Sequence, residues 1–316
     1  MIRNTQTLVG ILMTILLMSC EKEELPKSII DIQGSVYQTL EMGEDYTSHI
    51  GFSLQSSEMY QVNSIDWDLY IYPNREVRIN TSRFMKVLEV EGVNRFEDAF
   101  NDSVFVYDDY SKEDSDFKIK LTDKERYYII DLGRDIEGEL LQKVDCRIKL
   151  IEDKLHLEYK NRLEDQWKLK ILDLSASSGL FFSFLTEETM VNNLFVESDF
   201  YCGGYITRFV EADLDYLVRG VLLNMSSNLE IAIATDIEYD AINLSNITKY
   251  NFSKHIDKIG YDWKAYDLDK GLYVVDQSKV YIIRYANGLI YKLKFLDYYN
   301  SQGKKGYPMI SFELLK

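Results

Sequence analysis

The chain has 316 residues, of which 46% are apolar and 13% are aromatic, so it carries enough apolar material for one or two packed cores. Its 52 acidic and 36 basic side chains give a formal net charge of −16, which leaves no basic face for a phosphate backbone and excludes nucleic-acid binding. Only three prolines are present, which excludes a proline-rich linker, and 24 tyrosines with 15 phenylalanines favour strands.

The N-terminus has the pattern of a lipoprotein signal peptide. Arg3 supplies a positive charge, and residues 8–18 form an apolar run that suits a signal sequence but is too short to span a bilayer. The run ends in Leu17-Met18-Ser19-Cys20, which resembles the bacterial lipobox because an apolar residue stands three positions before the cysteine and a small residue directly before it. We therefore predict a signal peptide over residues 1–19 and lipid attachment at Cys20.

Residues 20–30 are predicted to form an acidic tether behind the lipid. Glu21, Glu23 and Glu24 follow the cysteine closely, which resembles the surface-export signal of Bacteroidetes lipoproteins. The alternative is an ordinary solvated tether. We expect a protein that is anchored by lipid to the outer membrane and faces the cell surface.

The rest of the chain predicts an all-β fold of mainly antiparallel sheets. Between residues 142 and 174, apolar and polar side chains alternate through three strands, with Trp167, Leu169 and Ile171 placed on the apolar face of the third. Further along, the Asn287-Gly288 pair between two apolar strands predicts a hairpin, since both residues tolerate positive φ.

Two stretches have the order and rough spacing of copies of one plan. The first runs from residue 65 through Val77-Arg78-Ile79-Asn80 to residue 133 and the three alternating strands, and the second runs from Asp199 to residue 283 and the strands that follow it. A cluster of small residues after Leu174 has linker composition and suggests the boundary. The prediction is two repeated β units, an N-terminal unit over 31–175 and a C-terminal unit over 176–316.

Catalytic motifs are missing from the sequence. It contains no glycine-rich phosphate loop, no His-Glu-x-x-His and no Gly-x-Ser-x-Gly. Acidic pairs such as Asp108-Asp109 carry little weight in a chain with 52 carboxylates. We expect a protein that is not an enzyme.

The predicted mature chain contains Cys146, Cys202 and three histidines. In an oxidising compartment the two thiols either form a disulfide or stay as isolated buried thiols, and the sequence leaves both alternatives open. Strand alternation points His156 at solvent. His49 and His255 each follow a polar segment, which leaves a surface position without function as one interpretation of both.

The C-terminal stretch, from Gly260-Tyr261-Asp262-Trp263 through the Asn287-Gly288 hairpin to Gly306-Tyr307-Pro308, resembles the HmuY family of Bacteroidetes lipoproteins. So does Trp67-Asp68-Leu69-Tyr70 followed by Val77-Arg78-Ile79-Asn80. The resemblance covers about a quarter of the chain. It implies an all-β lipoprotein that captures haem and passes it to a TonB-dependent receptor of the outer membrane.

If the chain shares that function, the resemblance implies axial donors from histidine or methionine side chains. His49 and His255, one in each predicted unit, are then the candidate nitrogen ligands, with a methionine as an alternative partner. The competing interpretation is a surface module that binds a glycan or a protein without a metal centre.

Overall fold

The computed structural model describes residues 34–91, 96, 105–110, 118–175, 178–235 and 237–316. The predicted signal peptide, Cys20 and the acidic tether lie outside these residues. Within them the regular structure is mainly antiparallel β-strand with a few short helices, which confirms the predicted fold class. None of the helices in this part of the chain has the length and apolar character that crossing a membrane requires.

The strands of the first half are β1 (Val36–Thr39), β2 (Ser48–Phe52), β3 (Met59–Asn63), β4 (Leu69–Ile71), β5 (Glu76–Ile79), β6 (Lys86–Val90), β7 (Ile119–Lys120), β8 (Arg126–Asp131), β9 (Lys143–Ile151) and β10 (Lys154–Asn161). Those of the second half are β11 (Lys168–Asp173), β12 (Leu180–Phe182), β13 (Thr189–Val191), β14 (Phe200–Phe209), β15 (Leu214–Leu223), β16 (Glu230–Thr235), β17 (Lys264–Asp267), β18 (Leu272–Val275), β19 (Lys279–Arg284), β20 (Ile290–Tyr299) and β21 (Lys305–Leu314). The helices are short: α1 (Leu194–Glu197) and the 3-10 helices η1 (Thr81–Arg83), η2 (Met225–Ser227), η3 (Tyr239–Ala241) and η4 (Leu244–Lys249).

Four sheets carry the fold, and their strands pair antiparallel. Sheet I has the order β1-β21-β20-β19-β16, and sheet II has the order β11-β10-β9-β8-β6. Sheet III is β13-β12-β4-β5-β7, and sheet IV is β15-β14-β2-β3. β17 and β18 form a separate hairpin.

The alternation in the sequence identifies the buried face of sheet II for two of the three meander strands. Cys146 and Ile148 of β9 and Leu155 and Leu157 of β10 are almost fully buried. The prediction for β11 is wrong, because Leu169 and Ile171 are 57% and 49% exposed. The register pairs Leu172 with the buried Leu155, and Leu172 is the one β11 side chain that is buried in the core.

The Asn287-Gly288 hairpin forms as predicted between β19 and β20. Gly288 has a φ of +89°, and its N–H donates to the carbonyl of Tyr285 over 3.0 Å. The N–H of Tyr285 in turn donates to the carbonyl of Leu289 over 2.9 Å. A residue without a Cβ adopts this φ without strain, which is why the pair marks the turn so clearly.

The two stretches that the sequence suggests as copies have matching geometry. Asp68 and Asp199 each accept a backbone N–H on Oδ2 over 2.6 Å, from Phe184 and Leu54 respectively. Asn80 and Asn224 each donate their own N–H to the aspartate carbonyl over 2.9 Å and cap a short 3-10 helix, η1 or η2.

The two predicted units that contain the copies are interleaved rather than placed side by side. β2 of the N-terminal unit pairs with β14 of the C-terminal unit, and β12 of the C-terminal unit pairs with β4 of the N-terminal unit. β1, near the start of the described chain, pairs with β21 at its end. The predicted boundary between 175 and 176 therefore does not separate the sheets, since three of the four combine strands from both sides of it and sheet II alone, among the described strands, lies wholly before it.

Cys146 and Cys202 are free thiols, so the disulfide alternative does not hold. Both side chains are fully buried, but Cys146 packs in the core beneath sheet II and Cys202 in the core beneath sheet I. Burial raises the pKa of both thiols, that of Cys202 to about 12. The two cysteines are therefore inert core residues, which is the other alternative that the sequence left open.

Candidate functional site

Two cavities lie beside sheet IV, the sheet in which β14 pairs with β2. The first, which we call the arginine cavity, has a volume of about 230 Å³ and is lined by Arg83, Arg134 and Arg219 together with apolar side chains. The second, which we call the His255 cavity, has a volume of about 390 Å³. It is lined by Tyr205, Ile233, His255, Asp257, Lys258, Gly260, Tyr261 and Asp262.

The loop that carries His255 is held by backbone hydrogen bonds on both sides of it. Ser253 exchanges two hydrogen bonds with Ile231 of β16, each of 2.9 Å, and Gly260 exchanges two with Val221 of β15. The Oγ of Ser253 also accepts the N–H of His255 over 3.1 Å. These contacts hold the half-buried His255 at the wall of its cavity without enclosing it.

Phenols and carboxylates accompany His255 in this cavity. The Oη of Tyr205 is buried and has no hydrogen-bond partner among the described residues, and burial raises the pKa of its phenol. Burial also raises the pKa of Asp257, and the neighbouring His255 opposes that shift. The cavity thus offers one imidazole and two phenols as donors to a ligand.

His49 is in a different environment from the surface position that its polar neighbours suggested. It lies on β2, an inner strand of sheet IV, and is 2% exposed. Its ring centroid is 5.8 Å from that of Trp67 and 6.2 Å from that of Tyr201. A Cβ at Gly203 would come within 2.6 Å of the His49 ring, so this close packing depends on glycine.

Burial, followed by the charge of Arg219, lowers the pKa of His49 to about 3. Both ring nitrogens lack a hydrogen-bond partner in the described structure. The imidazole is therefore neutral at physiological pH, but it lines neither cavity. An axial role for His49 would require the ring to leave its present packing.

The structure thus does not bring His49 and His255 to one cavity. His156 is half exposed on β10, as the strand alternation predicts. The described methionine side chains also offer no ligand, since Met42 and Met85 are buried in the cores, Met59 is 49% exposed, and neither these nor Met190 nor Met309 lines a cavity. In the described part of the chain, no group of three or more His, Cys, Asp or Glu side chains forms a metal site.

Arg219 is a site residue that the sequence reasoning missed. Its Nε and Nη1 are buried without a hydrogen-bond partner among the described residues, and the guanidinium lies 5.2 Å from the centroid of the Tyr46 ring. Burial lowers the pKa of Arg219. The available signal was a charged side chain inside the apolar run Leu217-Val218-Arg219-Gly220-Val221.

A second buried cation lies next to Arg219. Lys264 is 7% exposed, and its Nζ donates to the carbonyl of Arg219 over 2.6 Å. The ammonium also lies 4.6 Å from the ring centroid of Trp263 and 4.8 Å from that of Tyr298. Burial lowers the pKa of Lys264 to about 8.

A family model described as HmuY protein matches residues 45–312 of this chain. Among solved structures, the chain is similar to the apo HmuY analog of Tannerella forsythia, with 10% identity, 91% of this chain and 100% of that chain covered, and a TM-score of 0.35. It is also similar to apo PinO from Porphyromonas gingivitis, with 9% identity, 89% of this chain and 98% of that chain covered, and a TM-score of 0.32. No curated protein matches. Because these identities and scores are low, the assignment to a family rests on the family model.

Proposed function

This chain belongs to the HmuY family, and we propose on that basis that it is a surface-anchored lipoprotein that captures haem for a TonB-dependent receptor. The family is one of haem-binding-type surface lipoproteins and is a binding family, not an enzymatic one. The observation that carries the proposal is the match over residues 45–312, which spans all four sheets.

The His255 cavity is the place in this fold that best suits a haem. His255 can offer a ring nitrogen to the iron, and Tyr261 lies at the same wall with a phenol that can ligate or cover the porphyrin. His49 takes no part in this arrangement, because its ring is enclosed by Trp67 and Tyr201. The proposal therefore keeps one of the two histidines that the sequence suggests.

The capture step needs only binding chemistry from the protein. A bound haem would supply an iron that accepts a nitrogen ligand. His255 would offer a ring nitrogen, while the hydrogen bonds of Ser253 and Gly260 to neighbouring strands keep the loop in place. Transfer to a receptor then requires that this single loop release the ligand.

We expect the full-length protein in non-ionic detergent to shift the Soret band of added haem. His255→Ala is expected to weaken haem binding at least about tenfold, since one axial bond is lost. The matched control is His156→Ala, which removes a half-exposed imidazole from β10 and should leave the titration unchanged. If the parent gives no Soret shift, the protein does not capture haem. If His255→Ala gives the same titration as the parent, a residue other than His255 ligates the iron.

We expect Cys20→Ala to release the protein from the membrane fraction. The parent would carry two or three acyl chains at Cys20, which suffice for stable anchoring, and the variant carries none. Fractionation after a detergent-free wash, followed by immunoblotting, measures the distribution. A variant that stays with the outer membrane would contradict the lipid anchor.

A glycan-binding module without a metal centre is the second candidate, and one group of side chains favours it. Phe209 lies in edge contact with Tyr216 and close to Tyr261, with ring centroids 5.6 Å and 5.8 Å away. Tyr216 is 53% exposed, and Tyr261 shares the cavity wall with Asp262. Exposed aromatic rings beside carboxylates suit sugar rings, so polysaccharide retention in affinity electrophoresis, lost in Tyr216→Ala, would support this function.

A further inference from the structure

Arg219 carries a positive charge into the interior of the protein without an acceptor for two of its three nitrogens. Its Nε and Nη1 have no hydrogen-bond partner among the described residues. A Cβ at Gly204 would lie 2.3 Å from Nη1, so the guanidinium is pressed against the backbone of β14. A buried charged donor without an acceptor is costly, and it is retained where a ligand supplies the acceptor.

The other charges at the arginine cavity are already used or stand at its rim. The guanidinium of Arg83 is ion-paired with the buried Asp68. Arg134 is exposed and donates from Nη1 to the carbonyl of Gly138 over 2.6 Å. Asp45 is also exposed, so water screens its charge. At the buried end, the unsatisfied group is the single charge of Arg219.

The walls of the arginine cavity are partly apolar, and Thr47, Ser64 and Ser82 add hydroxyl groups to them. The apolar part includes Tyr46, Ile65, Phe84, Ile136 and Leu217. The volume of about 230 Å³ corresponds to roughly seven waters in the liquid. These dimensions suit a small molecule with an apolar body and one negative end.

We propose that the arginine cavity is a binding site for an organic carboxylate whose charge pairs with Arg219. A planar guanidinium matches the two oxygens of a carboxylate, and the apolar part of the walls receives the rest of the molecule. A phosphate dianion fits less well, because its second negative charge would have no buried cation to pair with: Arg83 is paired with Asp68, and Arg134 is exposed. The carboxylate belongs either to a free acid or to a propionate of the haem cargo, and the second source alone rests on the proposed function.

The test uses benzoate as the probe and benzamide as its uncharged match, with calorimetric titration of the full-length protein in non-ionic detergent. We expect benzoate to bind and benzamide to bind at least tenfold more weakly. Arg219→Met should lose at least tenfold in benzoate affinity and melt at the same or a higher temperature than the ligand-free parent, because it removes an unsatisfied buried charge. Arg126→Met is the matched control, since Arg126 pairs with Glu89 on sheet II and lines neither cavity.

If Arg219→Met fails to fold, a second variant tests the same cavity. Ile136 is 61% exposed at the cavity, so Ile136→Glu should fold and should weaken benzoate by repulsion while leaving benzamide unchanged. Equal binding of benzoate and benzamide, or an Arg219→Met variant that keeps the parent affinity, would overturn the proposal.

Competition separates the two sources of the carboxylate. If haem displaces benzoate and haem dimethyl ester does not, the site takes a propionate. If haem binds without displacing benzoate, the site takes a free acid. If the parent binds benzoate but gives no Soret shift with haem, the proposed haem capture is wrong and the carboxylate site is still supported.

Discussion

Asp68→Ala is expected to lower the free energy of unfolding by about 3–5 kcal/mol, because it leaves a buried guanidinium without its partner. Asp68 is fully buried, and Arg83, which pairs with it, is 5% exposed. The same carboxylate accepts the N–H of Phe184 over 2.6 Å. The substitution therefore removes the ion pair with Arg83 and the hydrogen bond with Phe184, which together connect η1 to the turn that follows β12.

The two copies supply a matched control for this variant. Asp199 occupies the equivalent position and accepts the N–H of Leu54 and the hydroxyl of Tyr285, but no cation pairs with it among the described residues. Asp199→Ala should cost about 1–3 kcal/mol, the range for a buried hydrogen bond left unmade. Urea unfolding followed by tryptophan fluorescence measures both variants. Equal losses of stability in Asp68→Ala and Asp199→Ala would show that the ion pair with Arg83 adds no stability beyond the backbone hydrogen bonds that both aspartates accept.

His49 is expected to make the protein less stable in acid. Its pKa is 6.5 in the unfolded chain and about 3 in the folded protein, so between these values the unfolded state alone takes up the proton. The contribution of His49 to stability is complete above pH 6.5 and is lost as pH falls towards 3, at about 1.4 kcal/mol per pH unit.

The measurement compares the parent with His49→Leu from pH 7.5 to pH 4. The free energy of unfolding of the parent should fall relative to that of the variant by about 1.4 kcal/mol for each unit below pH 6.5. His156→Leu, at a half-exposed position on β10, serves as the control for losing a histidine. A constant difference between parent and His49→Leu over this range would mean that His49 titrates normally in the folded protein.

The sequence by itself determines the features that depend on near neighbours. Side chains on one strand alternate between two faces, so β9 and β10 could be predicted from Cys146, Ile148, Leu155 and Leu157. A tight turn needs residues that adopt positive φ, and Asn287-Gly288 therefore marked its hairpin. The two copies were visible because their Asp and Asn positions keep the same order along the chain, as at Asp68 and Asp199.

The family could also be predicted from sequence, because the strands and turns that characterise it lie in fixed order near the C-terminus. The family model confirms this resemblance and extends it to residues 45–312.

Only the tertiary structure decided which strands meet and therefore which side chains are enclosed. His49 follows polar residues in the sequence, but β2 is inserted between β3 and β14, and that pairing across the predicted units buries the ring. The register with β10 turned Leu169 outward, and the separate cores kept Cys146 apart from Cys202. Arg219 could likewise not be identified as a site residue from the sequence, because the arginine cavity is lined by segments that are far apart along the chain. Burial and proximity depend on pairings between strands far apart in the chain, and a local pattern of residues does not specify them.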